Sequence, residues 1–155
     1  MPQEYAYENS FKVELLSERY KSLNNSIVDT SIPGLSIGTS DYPTAKKTLI
    51  VPGTNTTIEE LRLTFMLDED YTNWRLVYSW LNNLSSFSEL NDDFTDITDI
   101  GIHILNNKLN HEFVIQLEDC FPISLSEIPL NSQINSTTAI KFDVTFVVNG
   151  INIED

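Results

Sequence analysis

Residues 139–148, AIKFDVTFVV, alternate without a break: Ile140, Phe142, Val144, Phe146 and Val148 fall on one side, Lys141, Asp143 and Thr145 on the other. A period of two sends successive side chains to opposite faces of an extended chain, so this is a strand with one buried face and one wet face. The pattern recurs upstream. In FKVELL (11–16), Phe11, Val13 and Leu15 oppose Lys12 and Glu14, and in IEELRLTFML (58–67) the apolar side is Leu61, Leu63, Phe65 and Leu67. DIGIHILN (99–106) and HEFVIQLED (111–119) flank the Asn-rich turn NNKLN, which predicts an antiparallel hairpin.

One segment breaks the period. YTNWRLVYSWLNNL (71–84) spaces Trp74, Val77, Tyr78, Leu81 and Leu84 as one face of a helix of about three to four turns. Asp68 or Asp70 caps its first turn, and Trp74, Tyr78 and Leu81 are its expected core contacts. Several strands with one helix predict a mainly β architecture of antiparallel sheet, the helix closing one open edge or end. With 155 residues and 41% apolar content, the chain is expected to form a single domain over 1–155. SSFSELNDDFTD, after the helix, reads as a surface loop.

Charge and chemistry narrow the function. With 23 acidic and 9 basic side chains the net charge is -14, which repels a phosphate backbone and argues against sequence-specific nucleic-acid binding. The single Cys120 excludes an internal disulfide framework and reads as buried filler, compatible with a reducing cytoplasm. The N-terminal stretch lacks the pattern of a secretory signal and no apolar run approaches membrane-spanning length, so no membrane binding is expected. Asp92, Asp93, Asp96 and Asp99 do not meet the EF-hand spacing and read as solvated charge. His103 and His111 face each other across the predicted turn but lack a third patterned ligand. No GxSxG, P-loop, GxGxxG or HExxH occurs, so neither a catalytic residue nor a cofactor is expected.

IPGLSIGTSDYPTAKKTLIVPG (32–53) is too long for an ordinary hairpin turn, and it carries Leu35, Ile37, Tyr42, Leu49, Ile50 and Val51. Apolar residues on such a segment either fold back on the domain's own core or are covered by another surface. Open sheet edges, which invite pairing with another chain, favour the second.

Taken in order, these segments resemble the tail tube proteins of contractile-tailed bacteriophages and, by extension, the inner-tube proteins of related injection machines. The likeness begins with FKVELL and the IPGLSIG start of a long hairpin. It continues through the return KKTLIVPGTNTTIEELRLTFMLDED and the helix NWRLVYSWLNNL with its aromatic pair Trp74 and Trp80. It ends in FVIQLEDCFPISLSEIPLNSQINSTTAIKFDVTFVVNGI. The resemblance implies two antiparallel sheets packed as a sandwich or half-barrel, a flanking helix and a projecting hairpin. It also implies a structural virion protein rather than an enzyme: a tube protomer whose hexameric rings stack around a channel that conducts DNA during ejection. Leu35, Ile37, Tyr42, Leu49, Ile50 and Val51 then form an inter-ring arm. Glu14, Glu112, Glu118 and Asp143 are candidates for an acidic channel wall that does not hold DNA. The implied partners are other copies of the chain, a tail sheath and a baseplate, in a virion tail assembled in the host cytoplasm. A baseplate tube initiator or tail terminator ring of the same fold is the alternative. A cytoplasmic β-sandwich binding module, marked by a stable monomer with a concave aromatic site, is a further one.

Overall fold

The computed structural model describes residues 4–85, 97–132 and 138–154. Alternation becomes sheet where it was read. Strands β1 (Phe11–Leu15), β2 (Ile27–Thr30), β3 (Leu35–Pro43), β4 (Thr48–Ile58), β5 (Leu61–Met66), β6 (Thr98–Leu105), β7 (His111–Leu125), β8 (Lys141–Val147) and β9 (Gly150–Glu154) are joined by one helix, α1 (Thr72–Ser85), and a short 3-10 turn at Lys21–Ser26. The body is a seven-stranded antiparallel sheet in the order β1-β6-β7-β8-β5-β2, with β9 also on β7. β3 and β4 form a separate two-stranded hairpin. The acidic run over 86–96 and residues 133–137 of the last link lie outside the described residues.

β7 turns this single sheet into two walls. Its first part pairs with β6 and β9 as far as Glu118 and Cys120, and Phe121 to Leu125 pair with β8. At the corner Asp119 adopts a left-handed φ of 52°, a conformation unfavourable for a non-glycine residue unless its surroundings hold it. The hold is visible. Asp119 N–H donates to Asp99 Oδ1 (3.0 Å), Gln116 Nε2 donates to Asp99 Oδ2 (3.1 Å), and Asn149 Nδ2 donates to the Asp119 carbonyl (2.7 Å). Asp99, read from sequence as part of a solvated acidic run, is therefore the clamp of the corner.

The inward faces of the two walls form one core. Val13, Leu15, Ile100, Ile102, Ile115 and Leu117 meet Leu61, Leu63, Phe65, Phe142, Val144 and Phe146, all buried. Phe65 and Phe142 are cross-strand partners whose rings stack at 5.2 Å.

The helix closes this core with most of the face its apolar spacing suggests. Val77 is buried and Trp74, Leu81 and Leu84 pack against the core, but Tyr78, expected as a core contact, is 51% exposed, and Asn73 and Trp80 are buried in addition. Two contacts set that face. Trp80 stacks on Tyr20 at 3.8 Å and meets Phe146 edge-on at 5.6 Å. Asn73 Nδ2 donates to the Met66 carbonyl (2.6 Å), and its Oδ1 accepts from Asp68 N–H (3.1 Å), tying the helix start to the end of β5. Tyr78 instead lies outside, its ring stacked on Trp74 at 5.3 Å. Asp70 caps the start by accepting from Thr72 N–H, and its hydrogen bonds to Thr72 hold the carboxyl below its ordinary range.

Candidate assembly interface

The segment 32–53 leaves the body as most of the β3–β4 hairpin. Every residue of β3 is exposed, as is most of β4. Register assigns the apolar side chains to faces. Tyr42 pairs with Leu49 and Ser40 with Val51, which places Tyr42, Leu49 and Val51 on one face; Ile50, paired with Asp41, points to the other. Tyr42 (60%), Leu49 (39%) and Ile50 (73%) stay open to solvent, and Leu35 and Ile37 near the base are also exposed. A register shift lies between Ile37 and Thr39, where Gly53 approaches Gly38 so closely that a Cβ on Gly53 would sit 2.9 Å from the Gly38 carbonyl oxygen. Only glycine lets the two backbones meet there.

The second group of candidate residues divides between the walls. Antiparallel partners share a face, so β1, β6, β7 and β9 carry Lys12, His103, Val114 and Glu154 in one outward row and Glu14, Gly101, Gln116 and Asn152 in the next. Glu118 falls on the same face of β7 by parity, whereas Glu112 sits in the register shift between the Ile104–Phe113 and Leu105–His111 pairs, where parity does not assign a face. Glu14 and Glu118 thus share a face, joined by Glu154, which sequence reading missed because β9 is too short for its alternation to stand out. Asp143 is not with them. It lies on the outward face of the other wall, where Thr64 Oγ1 donates to its Oδ1 (2.6 Å) and its own N–H donates to Ser126 Oγ. Glu14 Oε2 is 3.2 Å from His103 Nε2, and the His103 and His111 rings meet at 5.5 Å. Among the described residues no group of three or more His, Cys, Asp or Glu side chains could hold a metal ion.

An extended two-stranded ribbon is carried by a folded two-walled β body, and residues 2–149 match the sequence profile of the phage tail tube proteins. The chain belongs to the phage tail tube protein family. Tail tube folds among solved structures resemble it along its whole length. The cap of the anti-feeding prophage, its tube-terminating cap, superposes with a TM-score of 0.74 at 17% identity, covering 99% of this chain and 93% of that one. A chain of the sheath-tube complex of an extracellular contractile injection system, PVC, in its extended state gives 0.70 at 15% identity, covering 97% and 91%. A chain of the PVC sheath/tube terminator gives 0.69 at 14%, covering 99% of each. At these identities the likeness is one of fold. No curated protein matches the chain in sequence.

The remaining nucleophile in this tail tube protein is Cys120, fully buried, with Sγ 3.8 Å from the Glu118 carbonyl oxygen. Burial, with Asp99 and Asp119 nearby, pushes its thiol up from 9.0 to about 12. The reactive thiolate is therefore suppressed in the folded state. A maleimide reagent at neutral pH is expected to leave the native protein unmodified and to label Cys120 after denaturation. Labelling as fast in the native as in the denatured protein would contradict this. The same displacement has a defined sign: the unfolded chain ionises first, so this residue lowers stability as pH rises from 9 toward about 12 and has no effect below.

Proposed function

We propose that this chain is the repeated protomer of a tail tube, assembling into hexameric rings that stack around a central channel, with the β3–β4 hairpin of each ring reaching onto the next. The observation that carries the reading is the hairpin itself: a projecting ribbon with Tyr42, Leu49 and Ile50 open to solvent, uncovered by any other of the described residues. β1 and β2 are the ends of the sheet order and, among the described residues and apart from Leu15, whose N–H and carbonyl bond the Asn24 side chain, their outer edges are free to pair with neighbours in a closed ring.

The channel wall in this reading is the outward face bearing Glu14, Glu118 and Glu154, with Glu112 at the start of β7 beside it. Its excess of carboxylates over the single Lys12 keeps phosphate from binding, so DNA slides through during ejection without being held. A sheath contacts the outside of the tube and a baseplate starts it. The protein resides in the virion tail after assembly in the host cytoplasm, and it performs no catalysis.

A terminating ring is the second reading, favoured by the match in fold to tube caps and terminators. Sedimentation velocity of the purified chain separates the two. A tube protomer is expected to give polydisperse, fast-sedimenting polymers whose size grows with concentration. A single hexameric species at every concentration would assign the chain to the tube end instead.

A further inference from the structure

The core is open at one end. Phe11, Ile104 and Phe113 stand in register across β1, β6 and β7 on the inward face, yet each is only partly buried, because no element among the described residues covers that last row. Together with Ile32 they line a groove of about 640 Å³, whose lining also includes the carboxylates of Glu8 and Asp29, both exposed. Apolar floor and anionic rim define the occupant that would fit: an apolar surface with positive charge at its edge.

The chain carries such a surface itself. At the tip of the hairpin, between Pro43 and Thr48, stand Lys46 and Lys47, the only adjacent basic residues in the sequence. Neither makes an ion pair among the described residues. Immediately behind them Tyr42, Leu49 and Val51 form the apolar face. The hairpin cannot serve its own groove. Ile32 lines the groove and β3 starts at Leu35, so the groove adjoins the base of the arm, whereas the paired nine-residue strand holds the tip about 30 Å away.

We infer that this groove receives the arm tip of a second copy, with Tyr42, Leu49 and Val51 capping Phe11, Ile104 and Phe113 while Lys46 and Lys47 meet Glu8 and Asp29. The inference rests on the assignment of the hairpin as an assembly arm and adds the surface that receives it. Tip-to-base contact is heterologous, so each copy donates one arm and accepts another, and the contact repeats without limit unless it closes.

Reversing the charges tests this in trans. One chain carries Lys46→Glu and Lys47→Glu, the other Glu8→Lys and Asp29→Lys; all four positions are exposed, so both variants fold. Each alone is expected to associate about tenfold or more weakly than wild type, since like charges then face each other across the contact. An equimolar mixture restores polymers, because every reversed arm finds a reversed groove and every native arm a native one. If wild type polymerises and the mixture remains as weak as its components, or if either variant alone polymerises like wild type, the groove is not the receptor and the tube reading stands without it. Wild type that stays monomeric in the same assay overturns both.

Discussion

A chain carrying Leu49→Asp together with Val51→Asp is expected to fold with an unchanged melting temperature and to build no tubes. Both side chains lie on the Tyr42 face of the β3–β4 hairpin, and neither belongs to the core cluster. Leu49 is exposed and Val51 half-buried on the hairpin, outside the body's core; substitutions away from caps, turns and the core change stability by about 0.5 kcal/mol or less, so the body is indifferent to them. Assembly is not. Two carboxylates placed in a contact that must exclude water would each leave an unpaired charge against apolar surface, a cost that far exceeds what one hairpin contact contributes. Circular dichroism melting and electron microscopy on the same preparation read the two halves of the prediction separately. Full-length tubes from the double variant would remove the arm from the account.

The largest effect on stability is expected from Trp80→Ala. The indole is fully buried, stacked on Tyr20 at 3.8 Å and edge-on to Phe146, and so joins the helix, the 3-10 turn region and the β8 wall at one point. Truncating a buried aromatic side chain costs about 3–5 kcal/mol. Against a total stability of about 5–15 kcal/mol, that leaves the fold marginal. Urea unfolding should show it as a lowered midpoint with little change in slope. Tyr78→Ala is the matched control: half exposed and leaning on Trp74, it should cost less than about 1 kcal/mol. Equal losses from the two substitutions would mean that Tyr78 is packed in the core as Trp80 is.

That contrast shows where the sequence is legible and where it is not. Strands were readable because the property that makes them, a buried face every second residue, is local; Phe142, Val144 and Phe146 announce it in one run. The helix is readable as a helix for the same reason, and so is most of its buried face, but not its polar and edge positions. Apolar counting admits Trp74 and Tyr78 and rejects Asn73, yet Asn73 is buried because a carbonyl at Met66 needs its amide. Tyr20 sits in what reads as a polar turn and is buried because Trp80, sixty positions on, stacks against it. The turn of β7 between walls was likewise hidden, since Asp119 is held in its left-handed conformation by Asp99, twenty residues before it. For the arm, length and apolar content marked it as exceptional, and the register added which side chains share a face. For the acidic candidates, parity places Glu14, Glu118 and Asp143 on wet faces but does not separate the walls, so Asp143 parts from Glu14 and Glu118 only when the sheet order is known, and the register shift at the start of β7 leaves Glu112 unassigned.

If the chain builds a tube through its own arm, negative-stain electron microscopy of the purified wild-type protein will show hollow filaments of stacked rings with an open central channel. Uniform monomers at every concentration, with or without coexpressed baseplate proteins, would contradict it.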